Sequence, residues 1–266
     1  MPPLLRRSRA LTETNSDFIM MALSLSSSCM LLKGRRYDDV GIPDRAEADR
    51  YIAACDYREN NEYWQFADEV LEISDPLARG VVIDIGSGPG TMCECLRVSM
   101  PGTKVVGIDR CERMIEHARE SYPRCTFIEG CAEAIPLRSA SVDIVVSLNT
   151  LHHLSDVRLA LYEMARVLRP GGIVYLGDLR RDASGHAIRD KLSRIHIAVA
   201  EDFKRSLRSA FTMREFRDEA VGIGFENISV FRVTEGIAAR RFADPYQHEK
   251  DALLYYRARM RTRKTN

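Results

Sequence analysis

The 266 residues suit one α/β domain with additions and suffice to bury a substantial core. Thirty-nine basic against 38 acidic side chains leave a net charge of +1, which excludes a global field that would recruit nucleic acid or a membrane surface. No apolar stretch reaches the roughly 20 residues that a membrane helix requires, and seven scattered cysteines without regular spacing read as reduced thiols of a cytoplasmic protein.

Residues 1–36 hold Arg6, Arg7 and Arg9 ahead of a serine-diluted apolar run, and are expected to form a poorly ordered extension. Its basic-then-apolar order resembles a secretory signal only superficially, because Asp17 and four serines (Ser24, Ser26, Ser27 and Ser28) dilute the run. Residues 37–75 are expected to be N-terminal helices: Ala46, Tyr51, Ala54, Tyr63, Phe66, Val70 and Leu71 share a face if the helix breaks near Asn60-Asn61. From Val81 strands and helices alternate regularly, which predicts a parallel sheet with right-handed crossovers. The predicted strands are Val81–Ile85, Lys104–Ile108, Cys125–Glu129, Val142–Ser147 and Ile173–Gly177, with helices near 91–99, 111–120 and 156–168. A helical insertion follows at about 183–208, and Thr212-Met213-Arg214-Glu215 is a capping box opening another helix. Phe225–Val233 alternates as a strand, with Gly236–Phe242 as its expected antiparallel companion, so that the domain covers 76–242. The remainder, 243–266, is expected to be a C-terminal helix and tail with a basic end.

The chemistry concentrates where Val81-Val82-Ile83-Asp84-Ile85 runs into Gly86-Ser87-Gly88-Pro89-Gly90-Thr91. A buried strand ending in a glycine loop that opens a helix lets a ligand approach backbone amides at close range. Asp84 is too costly to bury without a partner, so loop amides or a ligand should satisfy it. The next strand ends at Asp109, the place where dinucleotide-binding folds put a ribose-binding carboxylate. Loop and acid together predict an adenosine-containing ligand.

G-x-G-x-G after an acid-bearing strand resembles motif I of the class I S-adenosylmethionine-dependent methyltransferases, and the resemblance continues in order through residues 81–180. Asp109-Arg110-Cys111-Glu112-Arg113-Met114 is similar to the second-strand end. Gly130-Cys131-Ala132-Glu133 is similar to the adenine loop, Asp143 to Leu154 to the fourth strand and its loop, and Arg166 to Gly172 to the corner before strand five. The chain resembles in particular the ubiquinone- and menaquinone-biosynthesis type of small-molecule enzyme. The resemblance implies a Rossmann-like class I methyltransferase fold: a mostly parallel seven-stranded sheet, an antiparallel edge hairpin and helices on both faces. It also implies S-adenosyl-L-methionine as cofactor. Asp109 would take the ribose diol, Gly86, Ser87 and Gly88 would approach the amino-acid end, and Asp84 would orient the ammonium. Arg110 and Met114 would flank adenine, Cys131 and Ala132 would read it through the backbone, and Leu148 and Asn149 would line the sulfonium. Relatives often carry an acid where Cys131 stands, which leaves a side-chain contact to adenine in doubt. The helices of 37–75 would cap the pocket, with Tyr37, Tyr57, Tyr63 and Trp64 as candidates to touch ligand.

Loops at the ends of strands four and five face such a site. They carry His152 and His153, either of which could accept a proton near neutral pH, and Asp178. Arg180 and Arg181 could clamp a carboxylate or phosphate with Arg208 as helper, which would suit a small, acidic acceptor. Helix capping by the histidines and salt bridges to Asp178 or Asp182 are the structural alternatives. Cys93-Glu94-Cys95 sends its thiols to different faces of a helix, and His152-His153 lacks converging partners, so no metal is expected. A macromolecular substrate is disfavoured by Ser147-Leu148-Asn149-Thr150, which stands where base and glutamine methylases carry an Asn-Pro-Pro-Tyr-like sequence. Thr91 disfavours a dehydrogenase, a cofactor-binding scaffold without turnover stays open, and so does a homo-oligomer.

Overall fold

The computed structural model describes residues 45–54, 61–74, 80–194, 197–233 and 254–263. Val81–Ile85 forms β1, Lys104–Asp109 β2, Thr126–Glu129 β3, Val142–Leu148 β4, Leu168–Leu179 β5, Phe225–Arg232 β6 and Tyr255–Thr262 β7. They make one seven-stranded sheet in the order β3-β2-β1-β4-β5-β7-β6. β1 lies parallel to both β2 and β4, whereas β7 runs antiparallel between β5 and β6. The strand order reverses between β1 and β4, and the crevice at such a switch point is where α/β sheets bind ligands.

Arg45–Ala54 (α1) and Asn61–Ile73 (α2) precede the sheet, separated where Asn60-Asn61 predicted a break. Thr91–Ser99 (α3) and Glu112–Ser121 (α4) follow β1 and β2, and Val157–Val167 (α5) links β4 to β5. The insertion forms Gly185–Arg194 (α6) and Ile197–Ser209 (α7), and Met213–Ala220 (α8) leads into β6. Thr212 caps α8 as the sequence predicts: its Oγ accepts from Glu215 N at 3.1 Å, and the Glu215 carboxylate accepts from Thr212 N at 2.8 Å.

Both faces of the sheet are covered, which explains the near-continuous apolar runs of the central strands. On one face Ile83, Ile85 and Val145 meet Ala160, Leu161 and Met164 of α5 and Phe216 of α8. On the other, Val82, Val105 and Tyr175 meet Phe66 and Val70 of α2, Leu96 of α3 and Ile115 of α4. No helix among the described residues is long and apolar enough to cross a membrane.

The C-terminal segment corrects one expectation. Residues 255–262 form strand β7, not a helix, and the sheet needs them although they lie beyond the expected domain limit of 242. In Tyr256, Ala258 and Met260 alternating with Arg257, Arg259 and Arg261, the apolar residues recur every second position, the period of a strand. The three apolar side chains are fully buried in the α5–α8 face, and the arginines point to the opposite face. The 1–36 extension, Tyr37, Tyr57 and the companion strand expected at Gly236–Phe242 lie outside the described residues.

Candidate active site

The glycine loop is tied down at both ends. Gly86 N and Ser87 N donate to Ile108 O at 2.8 and 3.1 Å, folding the loop over the end of β2. Gly88 N donates to one carboxylate oxygen of Asp109 and Cys111 N to the other, each at 2.8 Å. Asp109 therefore buckles the loop to the start of α4. A carboxylate offers about four acceptor positions, so Asp109 keeps capacity for a ligand's hydroxyls. Gly86 sits at φ +73°, and a Cβ there would lie 2.3 Å from the Thr150 side chain. Gly88, at φ +51°, has nothing within 4 Å of the place a Cβ would occupy. One glycine is enforced by packing against β4's loop, and the other leaves open space over the loop backbone.

Asp84, Gly86, Ser87, Gly88, Leu148 and Asn149 line one cleft together with Tyr51 of α1, Tyr63 of α2 and the α3 start at Thr91-Met92. Six predicted cofactor residues are thus brought together. Asp109 adjoins the cleft through Gly88, while Arg110 is exposed at the end of β2. Met114 is buried within α4, and Cys131 and Ala132 sit on the loop after β3, where Ala134 N donates to Cys131 O at 3.2 Å. Sequence reasoning missed Tyr51 and Thr150 as lining residues. Thr150's signal was its place in the loop two residues after β4, and Tyr51's was its position on the apolar face of α1. Among the aromatic candidates, Tyr63 reaches the cleft, and Trp64 is half-buried against the α2–α3 core.

Three buried polar groups in this cleft are short of partners. Asp84 is 2% exposed and accepts from Cys93 Sγ at 3.7 Å, a weak donor, in place of the loop amides expected for it. Burial pushes its carboxyl up to about 7, with the nearby Asp109 charge adding to the rise. Ser87 Oγ and Asn149 Oδ1 are buried without a hydrogen-bond partner among the described residues. Asn149 also holds φ at +57°, an uncommon left-handed conformation for a residue with a Cβ, fixed by its N–H donating to Gly177 O at 2.9 Å.

After β4 a single 3-10 turn, Leu151–His153, sits beneath α7. His152 Nδ1 and Asp178 Oδ1 lie 2.6 Å apart, and Asp178 also accepts from His152 N at 2.9 Å and Leu179 N at 2.7 Å. A carboxylate with three N–H donors is fully oriented, and the Nδ1–H bond places the imidazole lone pair at Nε2. His153 packs against His152 with ring centroids 4.0 Å apart and the planes tilted by 46°. Burial, followed by His152 and the Arg110 and Arg205 charges, pushes His153 down to about 3 against the pull of Asp178, so it stays neutral at physiological pH. That removes His153 as a proton acceptor near neutrality, although its Nδ1 is a buried atom with no partner among the described residues.

The arginines are turned into the protein. Arg181 is buried, donates to Ala210 O at 3.2 Å and pairs with both carboxylate oxygens of Glu215, the α8 capping residue. Arg180 is buried as well and donates to Asp182 Oδ1 at 3.0 Å. These contacts replace the acceptor clamp expected from the sequence: Arg180 takes the Asp182 bridge weighed as its alternative, and Arg181 takes Glu215. Arg208 is exposed on α7.

The donor and acceptor set fits S-adenosylmethionine. A buried carboxylate without a cationic partner suits an ammonium, the spare lone pairs of Asp109 suit a diol, and open space over Gly88 suits a group lying on loop amides. Residues 83–176 match the family described as "Methyltransferase domain". A 37.1 kDa protein of a Streptomyces fradiae transposon is 28% identical over 218 residues, 80% of this chain and 61% of that protein. The demethylmenaquinone methyltransferase of Chlorobaculum tepidum is 33% identical over 95 residues, 36% of this chain and 39% of that protein. The chain thus spans less than two thirds of the length of these curated relatives. A solved SAM-dependent methyltransferase of Thermotoga maritima shares the fold with a TM-score of 0.56 at 22% identity, covering 82% of this chain and 95% of that one. Glycine loop, Asp109 buckle, strand order and family match agree: residues 83–176 form a methyltransferase domain, set in a class I methyltransferase fold.

Proposed function

We propose that the protein transfers a methyl group from S-adenosylmethionine to a small-molecule acceptor, with His152 as the proton acceptor. The observation that carries this reading is the buried His152–Asp178 pair, two residues beyond the cleft-lining Thr150. When bound, the cofactor supplies an electrophilic methyl group on a sulfonium. Asp84 would hold its ammonium, Asp109 its ribose hydroxyls, and Leu148 and Asn149 the wall beside the sulfonium. His152, kept in one tautomer by Asp178, presents Nε2 to an acceptor whose nucleophile carries a proton. Neutral His153 adds a polar edge without a charge, and α7 covers the turn and helps exclude water. Positioning of the acceptor supplies much of the remaining rate.

The demethylmenaquinone methyltransferase relative favours a small acceptor. With Arg180 and Arg181 engaged by Asp182 and Glu215, an acidic acceptor would have to be met by Arg208. The described cysteines are all free thiols, which suits a cytoplasmic setting. Calorimetric titration with S-adenosylmethionine and, separately, NAD tests the cofactor: micromolar binding of the first and none of the second is expected, and NAD binding alone refutes it. Labelled methyl transfer to candidate quinones and small acids tests the acceptor class. His152→Asn should keep cofactor affinity and lose about 10²–10⁴-fold in turnover, and full turnover would remove the base.

A further inference from the structure

One buried charge cluster lies outside the chemistry above. Glu69 of α2, Arg257 of β7 and Tyr175 of β5 are 3%, 2% and 2% exposed. Arg257 Nε and Tyr175 OH both donate to Glu69 Oε2 at 2.8 Å. The guanidinium lies over the Phe66 ring at 5.0 Å, and Phe66 packs on Tyr175 at 5.2 Å. Burial and the Glu69 charge hold the Tyr175 hydroxyl far above its ordinary value, so it acts purely as a donor. Glu69 Oε1 and Arg257 Nη1 remain buried without a partner among the described residues.

A core that needed only cohesion would fill this space with apolar side chains at no loss. What the pair adds is a directional link between three elements, of which α2 reaches the cleft directly and β5 backs onto its wall through Gly177. Glu69 and Phe66 share α2 with Tyr63, which lines it. Arg257 is registered against Gly177, whose missing side chain makes the room: a Cβ there would lie 2.7 Å from Arg257 Nη1 and from Leu148 Cδ1. Gly177 O in turn accepts from Asn149 N. The guanidinium therefore lies beside the Leu148 side chain across Gly177, on the sheet face that α2 covers.

We propose that Glu69, Arg257 and Tyr175 form a latch that seats α2 on the sheet and sets the wall of the cofactor cleft at Tyr63 and Leu148. These are positioning residues, and the proposal rests on the cleft being the S-adenosylmethionine site.

Trp64, the sole tryptophan of the chain, stands next to Tyr63 on α2, so its emission reports where that helix sits. Glu69→Gln leaves Arg257 uncompensated in the core and risks failing to fold. Tyr175→Phe and the paired change Glu69→Met with Arg257→Met avoid that risk. All variants are measured well below their unfolding midpoints. The paired Met variant is expected to bind S-adenosylmethionine at least tenfold more weakly, with a shifted Trp64 emission, and Tyr175→Phe to weaken binding about threefold. In a Tyr63→Ala background the same changes should weaken binding by less than twofold, because the latch acts through that wall. Variants that lose thermal stability yet bind within twofold of the unaltered protein, or effects that simply multiply with Tyr63→Ala, overturn the latch and leave the cofactor site intact. No binding by the unaltered protein overturns both.

Discussion

The titration of Asp84 gives the sharpest quantitative test of the cofactor site. Its carboxyl, ordinarily near 3.8, stands at about 7 because burial disfavours the charged form and Cys93 is its weak partner. A cationic ammonium binds the ionised form, so binding must displace the proton. The apparent dissociation constant then scales as one plus the ratio of protonated to ionised carboxyl, and affinity falls roughly 25-fold between pH 7.5 and pH 5.5. That corresponds to about 1.9 kcal/mol. At pH 6.5 about 0.8 proton should be released per cofactor bound. In the free protein the sign is opposite to that of a salt-bridged acid. The folded state binds the proton more tightly than the unfolded chain, so this group's contribution to stability declines as pH rises from about 4 to about 7. Calorimetry in buffers of differing ionisation enthalpy measures the released proton, and thermal melts with and without cofactor measure the stability arm. Burial raises Asp109 as well, so Asp84→Asn supplies the assignment: it should flatten the pH dependence and hold affinity near the low-pH value at all pH. A pH-independent affinity in the unaltered protein, or an undiminished slope in Asp84→Asn, refutes the reasoning.

Asp109→Ala removes the buckle that holds Gly88 N and Cys111 N as well as the ribose contact. Two charge-assisted hydrogen bonds to the ligand are worth about 3–6 kcal/mol together, so cofactor affinity should fall at least about 100-fold by calorimetry. Unchanged affinity would remove the ribose assignment. Arg181→Ala strips the buried partner from Glu215 and from Ala210 O, which should cost about 1–3 kcal/mol and several degrees of melting temperature. Cofactor affinity should stay within twofold. A fall in turnover at unchanged stability would instead return Arg181 to the acceptor.

What the sequence determined by itself was whatever depends on a local period or on a glycine. The runs Val81–Ile85 and Lys104–Asp109 are strands because they are apolar and β-branched, and they end where Gly86 and Asp109 can only be a turn and a terminal acid. The Thr212–Glu215 capping box names its own helix start. Six strands, the alternation of helices, and six residues of the cleft were therefore legible, because each rests on neighbours a few positions apart. The resemblance supplied what such patterns cannot, the cofactor and the expectation of seven strands.

Tertiary structure decided where distant segments meet. Residues 255–262 could have paired anywhere, and their alternation became decisive only when β5 offered an open edge and α5 with α8 an apolar face. Arg181 looked like a substrate ligand until α8 folded beside it and supplied Glu215. His152 became a candidate base because β5 brings Asp178 to within 2.6 Å of it, while burial, aided by His152 and nearby arginine charges, left its neighbour His153 a neutral ring at physiological pH. Pairing of charges, and the cost of burying them, depend on separation in space, and no spacing along the chain encodes that distance.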